Sequence, residues 1–460
     1  MGENQMFSKY ENFYHKVVFY YTLAFAVYTL FGRFTWLHAL VEYTINSYMY
    51  ILAGLFGFLL FAFDFIFYRN YRKMKYYPLY LAFILCAAIS SALNYKYGIR
   101  SNLTTLIWLC VQMILFTSMG HGFTRETYRR WLTYFFVISG SIWGFASLVS
   151  LYQYLFVRGY RIFMNSRWIR QSLVENRLFG VFIDPNLGAF VSFVVIWGMI
   201  YLMICYPKKP VRIAGVINCV IQTLYIVLSG SRSTEVCMIV SLSYALIYWL
   251  KCREKKKPVT QTVLRILRYL AVPILCFGII WEGFSLLRTG ISEVAYLLLP
   301  EIHSGTDELV RTDIEEDSSN NRIEIWKGYL YLMKDKPVFG VSPRNAWQYA
   351  DTEHPESYLA EHHYDVHNAY VAVLACMGVV GFAILILIIG CILRAVLPRA
   401  LSVETMNITY FIALQLILNI AVFIFFYPGI FFTNGIDTLL FWPAIGYVLQ
   451  DIRPKNSSDK

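Results

Sequence analysis

The chain has 460 residues, of which 58% are hydrophobic and only 15% charged, and its formal net charge is +11. A soluble chain carries about a quarter charged residues, so a water-soluble enzyme is excluded. The basic excess does not indicate nucleic acid either, because it is distributed as membrane-topology signals.

The apolar residues fall in blocks of roughly 17–25, long enough to cross a hydrocarbon core of about 30 Å. The pattern predicts an all-α polytopic membrane protein with spans near 17–32, 47–68, 77–93, 101–119, 132–157, 186–206, 212–228, 234–250, 266–288, 367–393, 406–427 and 437–450. These divide the chain into residues 1–288 with nine spans, an outer loop over 289–366, and residues 367–460 with three more spans and a tail. The polar N-terminus and the lack of a small-residue cleavage site make the first block a retained helix. The nine cysteines form no Cys-x-x-Cys pair and sit mostly in apolar blocks, so neither a disulfide framework nor a zinc site is expected.

With the N-terminus inside, 24 basic residues fall on the cytoplasmic side and 16 outside, in accord with the positive-inside rule. Cytoplasmic clusters include Arg69, Arg72, Lys73 and Lys75, the run Lys251, Arg253, Lys255, Lys256 and Lys257, and the C-terminal tail. The outer set divides as 12 Arg and 4 Lys, against 12 and 12 inside. Topology needs only positive charge. A guanidinium excess outside fits phosphate or pyrophosphate, which accept two parallel hydrogen bonds from the planar fork, although lipid headgroups and loop carboxylates are also possible partners.

Three outer segments carry the candidate chemistry. Residues 158–186 contain Arg158, Arg161, Arg167, Arg170 and Arg177; a helix would put Arg167 and Arg170 on one face. Asp184 and Pro185 read as the cap and first-turn residue of the next span. The turn Ser229-Gly-Ser-Arg-Ser233 places Arg232 at a helix start, where free backbone N–H groups favour an anion. The loop over 289–366 holds 15 acidic and 6 basic residues, with an acidic surface stretch over 301–319. Ile323, Trp326, Leu330 and Met333 then predict an amphipathic helix capped near Asn320 or Asn321 and ended by Pro337 and Gly340. Arg322 falls in its first turn, a position suited to phosphate.

The loop ends in Glu-His-His-Tyr-Asp-Val-His-Asn over 361–368. In extended form Glu361, His363, Asp365 and His367 would share a face, but no helical ligand pair supports a metal there. His367 opens the next span and titrates near neutrality, so it can accept a proton from a hydroxyl. A helix-end histidine without chemistry is the alternative.

His367 and Asn368 are followed by nine residues and then Gly378-Val-Val-Gly381. This pattern, with Ser-Gly-Ser-Arg over 229–232, Arg322-x-x-x-Trp326 and Pro-x-Phe-Gly over 337–340, resembles the O-antigen ligase/polymerase family of bacterial membrane glycosyltransferases. The resemblance covers mainly residues 180–390. It implies a glycosyltransferase C-type helical fold, multi-pass in the bacterial cytoplasmic membrane, with cytoplasmic termini and an extracytoplasmic site. It also implies transfer of a glycan from undecaprenyl pyrophosphate to an acceptor sugar hydroxyl, with no metal or other cofactor. By motif, Arg232 and Arg322 would hold the pyrophosphate and His367 would be the general base. Arg158, Arg161, Arg167, Arg170, Arg177, Arg344, Asn368, His363 and Asp365 are secondary candidates for substrate contact.

The acceptor reading leans to a repeat-unit polymerase for O-antigen or capsule, with a ligase acting on lipid A–core as the alternative. Expected partners are the lipid-linked donor, a glycan or glycolipid acceptor, the bilayer, a chain-length regulator and a flippase. A transporter or flippase for lipid-linked glycans is a further alternative; against it, no internal repeat is visible and mid-span charges are few, chiefly Asp64 and Glu282.

Overall fold

A computed structural model describes residues 3–41, 43–164, 167–254, 262–303, 321–402 and 406–450. Among the described residues, eight helices are long and apolar enough to cross a membrane. They are α2 (Thr44–Tyr68), α4 (Arg100–Gly122), α5 (Arg125–Phe156), α6 (Pro185–Cys205), α7 (Lys209–Ser229), α8 (Arg232–Glu254), α9 (Arg265–Leu298) and α13 (Ala369–Ala400). The shorter apolar helices α3 (Tyr77–Leu93), α14 (Ile408–Phe423) and α15 (Ile436–Val448) pack among them, and α1 (Glu3–Phe31) covers the first predicted span. Between α9 and α13 lie α10 (Arg322–Asp335), α11 (Ala346–Glu353) and α12 (Tyr358–His362). The architecture is that of an all-α polytopic membrane protein. The basic run at 255–257, the acidic stretch over 304–319, Asn320 and the tail over 451–460 lie outside the described residues.

The distribution of apolar side chains is what a bilayer selects. Leu270, Ile274, Leu286 and Leu297 of α9 are each more than half exposed, a surface that water would not tolerate. Inside, several buried polar groups find their partners across helices, as a hydrocarbon surrounding favours. The indole Nε1 of Trp143 donates to the Gly188 carbonyl at 3.1 Å, and that of Trp197 to Ser241 Oγ at 3.0 Å. Ser241 in turn donates to Gln415 at 2.6 Å. Asp64 is buried and accepts from Asn70 Nδ2 at 2.7 Å, so it faces the bundle.

Three predicted details change. Residues 158–180 form an antiparallel sheet, β1 (Tyr160–Met164), β2 (Arg167–Val174) and β3 (Arg177–Gly180), in that order. Arg167 and Arg170 therefore lie on a strand, and the expected helical face is not formed. The segment pairs Tyr160 with Gln171 and Phe163 with Trp168, a ladder that β-branched and aromatic residues favour. The helix expected over 266–288 continues to Leu298. In α10 the buried side chains are Ile325, Tyr329 and Leu332, whereas Ile323 and Leu330 are exposed. The spacing is helical in both sets, and apolar residues on both faces hid which one packs inward.

One break organises the site. Gly378 interrupts α13 with φ 64° and ψ −167°, a conformation essentially confined to glycine. The peptide groups freed there are taken up by the Pro-x-Phe-Gly segment. Val379 N–H donates to the Pro337 carbonyl at 2.8 Å, and Ser342 N–H to the Cys376 carbonyl at 3.0 Å. A Cβ on Gly378 would lie 2.4 Å from the Val338 carbonyl carbon, and one on Gly340 would lie 2.3 Å from that of Cys376. Gly378→Ala is expected to destabilise the protein by at least about 1–3 kcal/mol from backbone strain alone. Gly390→Ala, in open space on the same helix, should melt at or above the wild-type temperature in the same detergent.

Candidate functional site

Five chain segments meet at one end of the bundle. Asp184 caps α6 by accepting from Asn186 N–H at 2.8 Å, with Pro185 in the first turn. Gly230, at φ 60°, ends α7 and turns the chain into α8. The Ser231 carbonyl accepts the N–H groups of Thr234 and Glu235 at 3.1 and 3.0 Å, and its hydroxyl donates to Asn186 Oδ1 at 3.2 Å. Arg177 fastens the same junction: Nη2 donates to Asn186 Oδ1 at 2.7 Å and Nε to the Ser229 carbonyl at 2.9 Å. Arg232 is the first residue of α8 and half-buried. One turn on, Glu235 pairs with Arg288 of α9 at 2.7 Å, with both side chains largely buried.

The remaining segments bring the imidazole. Asn368 caps α13, its Oδ1 accepting from Tyr370 and Val371 N–H at 2.9 and 3.0 Å. His367 stands just before it at φ 48°, a left-handed conformation uncommon for a residue other than glycine. Its place is fixed by neighbours on the 289–366 loop. Trp326 Nε1 donates to the Val366 carbonyl at 2.9 Å, and Tyr329 Oη and Trp347 Nε1 both donate to the Tyr364 carbonyl. Arg322 opens α10, its guanidinium carbon 5.7 Å from the centre of the Phe426 ring. Arg322 and Trp326 are four apart on that helix, so one turn carries both a cation and the donor that steadies the His367 strand.

A cavity of about 270 Å³ lies between these parts, lined by Asp184, Asn186, Arg322, Tyr364, His367 and Tyr427 among others. Arg322 and His367 thus share one space. Arg232 is not in its wall but follows Ser231, which bonds the wall residue Asn186. The α10 N-terminus also opens on the cavity through Asn321 and Arg322, adding donors and positive potential. Burial lowers the His367 pKa below the ordinary imidazole value; Asp365 opposes that, the Arg322 cation reinforces it, and Asp184 opposes it weakly. The net effect is a neutral imidazole at neutral pH, the form that accepts a proton.

The other predicted residues scatter. Arg158, just before the sheet, and Arg161, in β1, are exposed, with Arg161 over the Trp168 ring at 5.7 Å; Arg167 opens β2. Arg170 pairs with Glu175 at 3.0 Å. His363 pairs with Asp351 at 2.7 Å and Glu361 lies in α12, so the extended four-residue face is not formed. Asp365 and Arg344 line a separate small crevice. Among the described residues no group of three metal-ligating side chains is found. Asn186, Tyr364 and Tyr427 were not anticipated. The Asp-Pro-Asn run at 184–186 was a usable signal for the first; the tyrosines had none.

The fold and this cavity define a class: an integral membrane protein of bundled helices, with a cationic and imidazole-bearing site at one end. Residues 217–386 match the family model described as O-antigen ligase. The match supports the O-antigen ligase/polymerase family, hence O-antigen ligase/polymerase-type activity, a glycosyltransferase-like enzyme, and a lipid-linked glycan and an acceptor as partners. It includes Arg232, Arg322 and His367 together with both glycine motifs. No curated protein matches the chain.

The His367 environment is testable without turnover. Diethyl pyrocarbonate modifies neutral imidazole, and peptide mass spectrometry resolves His367 from the other seven histidines. Its modification midpoint is expected below pH 6.5, the ordinary value. Arg322→Ala removes a cation and should move the midpoint up; Asp365→Asn removes an anion and should move it down. A midpoint indifferent to both would contradict the geometry.

Proposed function

We propose that the protein transfers a glycan from undecaprenyl pyrophosphate to an acceptor hydroxyl at the outer face of the bacterial cytoplasmic membrane. The observation that carries this reading is the single cavity shared by the Arg322 guanidinium, the α10 N-terminus and a neutral His367 imidazole. A lipid diphosphate needs the first two and an attacking hydroxyl needs the third.

In the proposed step the acceptor O–H gives its proton to an imidazole nitrogen of His367 while the oxygen bonds to the anomeric carbon. The bond from that carbon to the diphosphate oxygen breaks, and its electron pair leaves with the diphosphate. Charge accumulating on the leaving oxygen is met by Arg322 and the helix N-terminus, which are already oriented. Arg232, one residue from the Ser231–Asn186 bond, is the second guanidinium assigned to the diphosphate. Attack opposite the leaving group inverts the anomeric configuration. Cationic side chains supply the charge stabilisation, so no metal has a role in this scheme.

For the acceptor we propose a second lipid-linked repeat unit, making the protein a polymerase. The description of the matched family and the His367–Gly381 signature favour a ligase instead, acting on lipid A–core. Purified protein given undecaprenyl-pyrophosphate repeat units should build a ladder without lipid A–core; transfer only when the core is supplied would make it a ligase. Product formation in detergent, without two compartments, also separates either enzyme from a flippase.

His367→Ala is expected to lower kcat by about 10²–10⁴, the usual worth of general-base catalysis. Arg322→Ala and Arg232→Ala should cost at least as much by loss of leaving-group stabilisation, on the scale of about 10²–10³ per donor. Each variant should remain folded by size exclusion, and wild-type activity in any one removes that residue from the scheme. Turnover should persist in excess chelator.

A further inference from the structure

A second, larger cavity of about 620 Å³ opens where α2 and α4 begin. Its wall includes Arg100 at the start of α4 and Arg344, together with Tyr50, Trp108, Thr433 and Asn434. Neither Arg100 nor Arg344 forms an ion pair with a carboxylate among the described residues, and both are exposed. Among the described residues no carboxylate lines this cavity, and its two guanidinium groups favour a bound anion. Arg344 is held in place by its backbone: its N–H donates to Asn102 Oδ1 at 3.1 Å, on the loop that follows the Gly340–Gly378 junction.

Two wall groups are buried without a hydrogen-bond partner, the indole Nε1 of Trp108 and Oδ1 of Asn434. Asn434 Nδ2 is already committed to the Tyr50 hydroxyl at 2.8 Å. Tyr50, Thr433 and Asn434 give this wall hydroxyl and amide groups, which suit sugar hydroxyls that both donate and accept. A narrow crevice of about 80 Å³ shares Arg344, Phe432 and Thr433 with this cavity and is lined by Asp365 and Val366, the residues immediately before His367. Through this crevice the large cavity borders the segment that carries the imidazole. Beside it the flanks of α2 and α4 expose Leu52 and Leu103, apolar surface on which a lipid tail can lie.

We propose that this cavity binds the acceptor as a phosphorylated glycolipid headgroup, with Arg100 and Arg344 on its phosphate and Asn434, Tyr50 and Thr433 on its sugar. The proposal rests on the reading of His367 as the base and of the first cavity as the donor site. The phosphate belongs either to the diphosphate of a second lipid-linked repeat unit or to a phosphorylated core glycolipid; the chemistry recognised is the same.

The test uses full-length protein in nanodiscs with one lipid-diphosphate glycan donor and three acceptors in turn. These are a second lipid-diphosphate repeat unit, a phosphorylated core glycolipid, and the same core without phosphate. Arg100→Ala/Arg344→Ala is expected to raise KM at least tenfold for the phosphorylated acceptor that the wild type uses. It should leave the donor KM within twofold and transfer to the phosphate-free core unchanged. The acceptor used identifies the source of the phosphate. If alanine at both positions prevents folding, the single variants Arg100→Gln and Arg344→Gln carry the same expectation. An unchanged acceptor KM, or equal rises in donor and acceptor KM, overturns the acceptor site and leaves the His367 reading intact. Failure of the wild type to transfer to any acceptor overturns both.

Discussion

A helix broken inside an apolar surrounding exposes peptide groups that water cannot reach, and everything else at this site follows from how they are satisfied. At Gly378 the loop over 337–342 supplies the missing partners, accepting through Pro337 and donating through Val341 and Ser342. Ser90 of α3 and Asn94, just past its end, complete the junction by donating to the carbonyls of Cys376 and Gly340 at 2.9 and 3.0 Å. A loop tied at that depth cannot move freely at either end. Upstream of the tie lies α10 with Arg322; downstream on the loop are Arg344 and α11, whose Trp347 holds the Tyr364 carbonyl. The first turns of α13, above the break, begin at the Asn368 cap beside His367. One buried backbone repair thus sets the distance between cation and imidazole.

Seen this way, the glycine motifs and the charged residues have separate tasks. Gly340 and Gly378 allow two backbones to approach where no side chain fits. Trp326, in the same motif as Arg322, donates to Val366 and so acts on His367 by position rather than by touching substrate. Arg177 is comparable: with both Asn186 and the Ser229 carbonyl as partners, it fastens the α6–α7–α8 junction, which is a sufficient structural reason for an arginine there.

The sequence was most legible where a single physical rule governs. Each apolar block became a helix, because length and hydropathy alone decide that in a bilayer. The cap at Asp184 and the start of α10 at Arg322 were readable from local chemistry, whereas the next span opens at an Asn368 cap and not at His367. The sheet over 160–180 was not: its arginines at three-residue spacing imitate a helical face, and only the pairing of Phe163 with Trp168 and its neighbours decides otherwise. The Glu361–His367 run misled in the opposite direction, since Ser357 caps a short helix through Glu361 by accepting from Ala360 N–H and so removes the extended face. Arg100 and Asn434, more than 330 residues apart in the chain, meet only through tertiary packing, for which no local pattern exists.

The electrostatics of the first cavity bear on the order of events in the proposed reaction. In the free site burial and the Arg322 cation keep His367 neutral against the pull of Asp365 and Asp184. A diphosphate seated on Arg322 cancels the effect of that cation and adds negative charge of its own near the imidazole. Both changes raise the affinity of His367 for a proton. The base is therefore strengthened by the substrate it serves, and is strongest only while a leaving group is in place. Water entering a donor-free site meets a weaker base, and departure of undecaprenyl pyrophosphate lowers the imidazole pKa again, which favours release of the proton before the next donor binds.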